Sequence, residues 1–122
     1  INEHIASELK ALKVIVEEYQ PKTLIGSAGA FETFASMINP SLNIAETSTA
    51  DIYLKDYLSL SNKLISSTHA EREAMPNLIP LRVDMIVMAS LLTNYVVQTF
   101  ELTEIKLSTY DLKMGVLQSL KS

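Results

Sequence analysis

The sequence predicts one helix-dominated α/β domain, and three observations predict it. Apolar residues recur at helical spacing over most of the chain, two short apolar runs have the character of strands, and each run is followed by a further helix. The 122 residues are enough for one domain with a core and too few for two ordinary ones.

Taken in order, Ile1, Ile5, Leu9, Leu12, Val16 and Tyr19 recur at spacings of three and four. Glu8, Lys10, Lys13 and Glu17 lie elsewhere on the cylinder, so the chain opens with an amphipathic helix that Pro21 stops. Thr23-Leu24-Ile25 reads as a brief buried strand ending at Gly26. Ala30, Phe31, Phe34, Ala35 and Ile38 restore the helical period until Asn39-Pro40 breaks it. Ser41 to Ala50 has no period and is rich in Ser, Thr and Asn, which reads as a loop. Ile52-Tyr53-Leu54 has some extended character but is not counted as a strand.

From Asp56, the residues Tyr57, Leu58, Leu60, Leu64 and Ile65 predict a helix to about Ser67. Thr68-His69-Ala70-Glu71 has the pattern of a capping box and starts a short helix closed by Pro76. A linker to Pro80 leads into the longest expected helix, about Leu81 to Phe100. Its most apolar stretch, Met85 to Val97, is interrupted by Ser90, Thr93 and Asn94 and is too short to span a bilayer, so it reads as a buried helix. Glu104 to Ser108 is the second strand, with Ile105 and Leu107 facing one way. A last helix from about Asp111 puts Leu112, Val116 and Leu120 on one face.

Composition removes several function classes. Ten Lys+Arg against fourteen Asp+Glu give a net charge of −4 and a pI near 5.1, which is not the signature of a general DNA binder. Zero cysteines exclude disulfides, thiolate zinc sites and Cys nucleophiles, and fit a reducing cytoplasm. Two histidines, His4 and His69, are too few for a His-rich metal site. No secretory signal pattern is present. Ile1 in place of Met leads us to expect a fragment or a processed chain.

Chemistry concentrates in two places. In Leu24-Ile25-Gly26-Ser27-Ala28-Gly29-Ala30 a strand ends, small residues turn the chain and a helix begins. Glycines admit positive φ and close approach, and the free N–H groups at the helix start can hold a phosphate. The same turn is also compatible with a purely geometric need for glycine. Arg82 and Asp84 open the expected long helix. Asp84 suits the positive end of the dipole, whereas Arg82 opposes it. Arg82 therefore either attracts an anion, bridges to Glu71 or Glu73, or simply points into water. Elsewhere, Glu71-Arg72-Glu73 reads as a solvated face, His69 as a surface residue, and Tyr53, Tyr57, Tyr95 and the five methionines as core or core edge. Gly115 inside a helix costs roughly 1 kcal/mol relative to Ala and hints at a close contact.

Three segments in series resemble the exopolyphosphatase / guanosine pentaphosphate phosphohydrolase family. Leu24 to Thr33 is similar to its second phosphate-facing glycine loop, of the G-[ST]-x-G-[TS] type. Glu71-Arg72 through Pro80-Leu81-Arg82-Val83-Asp84-Met85-Ile86-Val87 is similar to its E-R…P-x-R-[AV]-D-x-I-V pattern. Ile105-Lys106-Leu107-Ser108 with Leu112-Lys113-Met114-Gly115-Val116-Leu117 is similar to its V-x-V-S…L-[RK]-E-G-[VL]-L ending. The chain departs from the family at Ala30, commonly Thr or Ser; at Met114, usually Glu; and at Asp111, often Gly.

The resemblance implies an actin-like, two-lobed fold of the sugar kinase kind, of which this chain is the C-terminal part of the second lobe with a truncated sheet. It implies hydrolysis of terminal phosphoanhydrides of polyphosphate or guanosine pentaphosphate, with polyphosphate or guanosine penta/tetraphosphate as the bound partner and with Mg²⁺ and the acid that activates water held mainly by the first lobe. Gly26, Ser27, Ala28 and Gly29 would then face one phosphate, Arg82 would clamp the substrate, and Asp84 and Gly115 would support the site. No catalytic residue and no metal ligand is expected in this chain. The first lobe is an expected partner, as is a second copy of the chain; DNA and membrane are not. The alternative is a noncatalytic helical interaction module on the same fold.

Overall fold

Both expected strands form, and a third joins them. The computed structural model describes residues 2–110 and 112–121. Their order is α1 (Asn2–Glu8), α2 (Lys10–Tyr19), β1 (Thr23–Ser27), α3 (Gly29–Ile38), a 3-10 turn (Ile44–Glu46), β2 (Thr49–Ile52), α4 (Leu54–Ser66), α5 (His69–Glu73), a second 3-10 turn (Pro80–Arg82), α6 (Met85–Thr99), β3 (Glu104–Ser108) and α7 (Leu112–Lys121). Ile1, Asp111 and the side chains of Leu112 and Lys113 lie outside the described residues.

The sheet has the order β1-β3-β2. β1 runs parallel to β3 with Leu24 beside Ile105 and Gly26 beside Leu107, and β2 runs antiparallel with Ile52 beside Ile105 and Ala50 beside Leu107. Side chains alternate along a strand, so Leu24, Ile52, Ile105 and Leu107 share one face. They pack into the core with α3. The other face carries Thr23, Ile25, Asp51, Glu104 and Lys106. There Lys106 Nζ is 3.8 Å from Asp51 Oδ1, and Thr23 Oγ1 donates to Glu104 Oε2 at 2.9 Å.

β2 corrects the expected loop over Ser41 to Ala50. Its Thr-Ala-Asp-Ile alternation is only four residues long and sits in a polar stretch, so pairing with β3 decides it. The opening helix is likewise two segments. Leu9 leaves the helical region at φ −99, ψ 11, although the bonds Leu9 N–H to Ile5 O and Lys13 N–H to Leu9 O persist at 3.0 Å. No residue of α2 is buried, and Leu12 and Tyr19 are exposed, against the expected core face. α7 is similar: Val116 and Leu120 are exposed rather than packed, and so, against the core reading, are Tyr53, Met85, Met88 and Met114.

The core continues from α3 onto α4 and from α4 onto α6. Phe31, Phe34 and Tyr57 stack edge to face, with centroids 5.6 and 5.2 Å apart. Of the polar residues that interrupt the apolar run of α6, Asn94 has side-chain partners across this contact, and the Ser90 hydroxyl is satisfied within its own helix. The Tyr57 hydroxyl donates to Asn94 Oδ1 at 2.8 Å, Asn94 Nδ2 donates to Ser61 Oγ at 2.7 Å, and Ser90 Oγ donates back to Ile86 O at 2.8 Å. Among the described residues no buried side-chain polar atom lacks a partner. Burial pushes the Tyr57 phenol above its ordinary pKa. No helix of the described residues is long and apolar enough to cross a membrane.

Candidate functional site: the glycine turn and the Arg82 linker

β1 and β3 are parallel and end side by side, Ser27 in register with Ser108. Ligands of open α/β sheets bind beyond such carboxyl ends. β1 extends through Gly26 and Ser27, one step further than expected, so the turn proper is Ala28 alone. Gly26 needs no side chain for a packing reason: a Cβ there would strike the ring of Phe31. That is the geometric reading of this glycine.

The expectation that a glycine supplies positive φ is corrected. No glycine among the described residues has positive φ; Ala28 does, at φ 67, ψ −167. That region is nearly confined to glycine and costs about 1–3 kcal/mol for other residues. The strain reverses the chain so that α3 starts at once. The first helical bond runs from Glu32 N–H to Ala28 O at 3.1 Å. The N–H groups of Gly29, Ala30 and Phe31 therefore precede the ladder and have no acceptor within the helix. Thr33 Oγ1, one turn on, is turned back to Gly29 O at 2.8 Å.

Arg82 comes to this turn from fifty residues away in sequence. Its guanidinium occupies the place where a Cβ on Gly29 would project, which is why position 29 accepts only glycine without displacing the arginine. Arg82 is half-buried, and its side chain makes no hydrogen bond or ion pair with the described residues. Glu71 and Glu73, its expected structural partners, are engaged elsewhere. The Glu71 carboxylate accepts from Thr68 N–H at 2.9 Å while Glu71 N–H donates to Thr68 Oγ1 at 3.1 Å, completing the capping box. Glu73 pairs with His69.

Two hollows meet at Gly29 and Arg82. One, of ≈ 260 Å³, is bounded by Gly29, Ala30, Arg82, Met85, Ile86 and Ala89. The other, of ≈ 180 Å³, is more polar and includes Glu32, Thr33 and Asn77. On the first side the polar groups are Arg82 and the start of α3, against an apolar wall.

Arg82 and Asp84 do not open the long helix as expected. Pro80 starts a 3-10 turn that contains Arg82, and α6 begins only at Met85. Asp84 precedes α6 without capping it; its carboxylate accepts from His69 Nδ1 at 2.7 Å and lies 3.9 Å from Arg72. The Asp84 hydrogen bond, ahead of the charges of Asp84 and Glu73, raises the His69 pKa above its ordinary 6.5. The Thr68 N–H holds the Glu71 carboxyl below its ordinary 4.5.

Gly115 has no close neighbour: a Cβ there would meet nothing within 4 Å, so the expected contact is absent among the described residues. The sequence also hides one residue. Arg72, read as part of a solvated face, is only 11% exposed at its side chain. It donates to Val83 O at 2.7 Å and to Ser67 O at 2.6 Å. A charged triplet on a short helix gave no signal of this.

No protein-family model matches the chain, and no curated protein sequence does. Among solved structures it is similar to an exopolyphosphatase from Cytophaga hutchinsonii, with a TM-score of 0.88 and 31% sequence identity over 98% of this chain. The chain spans 39% of that protein's length. The fold is therefore exopolyphosphatase-like: a helix-dominated α/β arrangement with a small mixed sheet, of the actin-like kind.

Proposed function

We propose that this chain is a second-lobe part of an exopolyphosphatase-like phosphohydrolase, and that the Gly26–Gly29 turn and Arg82 bind a phosphate of the substrate. One observation carries the reading: a half-buried guanidinium without a side-chain partner among the described residues lies across Gly29, beside helix N–H groups that have no acceptor within the helix. Desolvating a cation is costly unless an anion or acceptor answers it. A phosphate beside Gly29 and Ala30 would answer both the cation and the helix dipole. The likeness to an exopolyphosphatase supports polyphosphate as that anion, and guanosine penta/tetraphosphate is the other anion of the same proposal.

Within this proposal the chain binds and orients, and the water-activating acid belongs to a first lobe. Mg²⁺ belongs there too. Among the described residues no group of three or more acidic or His side chains could hold a metal ion. A cytoplasmic location and a homo-oligomer belong to the same proposal. The alternative, a noncatalytic interaction module, would use the exposed apolar residues of α2 and α7 and would leave Arg82 without a role.

The test is a titration of the purified chain with tripolyphosphate, followed by amide NMR. The expected result is shifts at Gly29 and Ala30, an affinity about tenfold lower in Arg82→Ala, and little change in melting temperature. Incubation with polyphosphate should release no phosphate above a blank, because positioning between two lobes is needed for transfer. Unaltered binding beside a large fall in melting temperature in Arg82→Ala would make Arg82 structural.

A further inference from the structure

We infer that Arg72 is a positioning residue for Arg82: it fixes the linker that lays the Arg82 guanidinium against Gly29. The inference rests on the proposed phosphate role of Arg82 only for its functional meaning, since the geometry stands by itself. The segment between α5 and α6 has two buried apolar anchors, Leu78 and Val83, which are 5% and 2% exposed. Between them Ile79 and Leu81 face solvent, and Arg82 N–H donates to Ile79 O at 2.9 Å inside the turn, so the turn holds its own shape while packing anchors it only at its two ends.

Arg72 supplies what is missing. Its Nε donates to the carbonyl of Val83, the residue next to Arg82, at 2.7 Å. Its Nη1 donates to the Ser67 carbonyl at 2.6 Å and is 3.3 Å from Ser67 Oγ. The guanidinium thus joins the C-terminal end of α4 to the residue following Arg82. Its planar fork suits two carbonyls at once, which a lysine cannot serve. Both acceptors stand close to buried structure, so losing the fork leaves them unpaired. α5 is itself tied to the approach to α6 by the contact of His69 with Asp84, and it follows α4 directly through Ser67 and Thr68.

The experiment reads the position of Arg82 with and without a ligand. In the unliganded chain, the Arg82 Nε–H resonance should be shifted from that of free arginine, and Arg72→Gln should move it toward the free value. With tripolyphosphate as the probe, Arg72→Gln should weaken binding by about fivefold. In an Arg82→Ala background it should add less than about a further 1.5-fold, because the two residues act as one unit. A loss of stability alone would lower the melting temperature without this coupling.

Full affinity in folded Arg72→Gln, or a loss that adds in full to that of Arg82→Ala, would overturn the inference. Arg72→Lys keeps the charge and one carbonyl contact; it is read by the same two criteria if the glutamine variant does not fold. If tripolyphosphate binds none of the proteins, the phosphate reading fails. The resonance of Arg82 then still decides the positioning role.

Discussion

α4 and α2 are both amphipathic by sequence, yet their fates differ. Tyr57, Ser61 and Leu64 of α4 are buried against α3 and α6, and the polar atoms at that contact are paired. No residue of α2 is buried, and Val14, Ile15 and Tyr19 are 66%, 52% and 74% exposed. Periodicity therefore reports a face suited to burial; a neighbour of the right shape decides whether it is buried. α7 and Ile25 of β1 belong with α2, since Leu120 is 79% and Ile25 66% exposed.

The largest effect should separate the two regions outright. Phe34 is fully buried between Phe31 and Tyr57, so Phe34→Ala should cost about 3–5 kcal/mol through lost transfer energy and a cavity. Val14→Ala on α2 should stay within about 0.5 kcal/mol. Urea unfolding of both variants checks this, and a Val14 effect as large as that of Phe34 would show that α2 is packed in solution.

The exposed region makes a second prediction. Among the described residues β1 pairs only with β3 and is an edge of the sheet, and such edges recruit strands. Together with Ile25 and the apolar residues of α2 and α7, this edge is expected to drive self-association of the chain. Ile25→Lys should shift light scattering toward the monomer over a concentration series, because a charge on an edge strand opposes pairing. A wild-type chain that is monomeric at the highest concentration would mean that the edge is protected by some other means.

The same contrast explains what the sequence disclosed. β1, β3, the capping box and the α3 period were legible because local chemistry and tertiary packing agree there. β2 was not, because four alternating residues carry little signal without their partner strand. Arg82 could be singled out as a cation opposed to a helix start. The actual reason for its prominence, the approach to Gly29, is a contact across the fold. Arg72 was missed because Glu71-Arg72-Glu73 looks the same whether the arginine points to solvent or to two carbonyls.

Ala28 sharpens the comparison within the site. Its φ of 67 is strained for alanine, so Ala28→Gly should relieve that strain while adding freedom to the unfolded chain. The net expectation is a gain of about 1 kcal/mol, measured as a higher urea midpoint. A loss of stability would indicate that the turn adopts another conformation in solution.

The smallest effect concerns His69, which joins α5 to the approach to α6 from an exposed position. Its hydrogen bond to Asp84 and its pairing with Glu73 favour the protonated ring, so its folded-state pKa lies above the unfolded value near 6.5. A raised pKa means that the folded chain binds the proton more tightly. Its contribution to stability is then complete below pH 6.5 and disappears as pH rises through the folded pKa. Wild type and His69→Gln should therefore differ in urea midpoint at pH 5.5 and converge at pH 8.5. Glu71 acts in the opposite sense: its lowered pKa gives stability that is present above 4.5 and is lost as the pH falls further. The His69 comparison belongs at pH 5.5 for that reason, above the Glu71 window. A constant difference across the range would mean that His69 acts by packing, and the proton would then have no part in holding α5 to the start of α6.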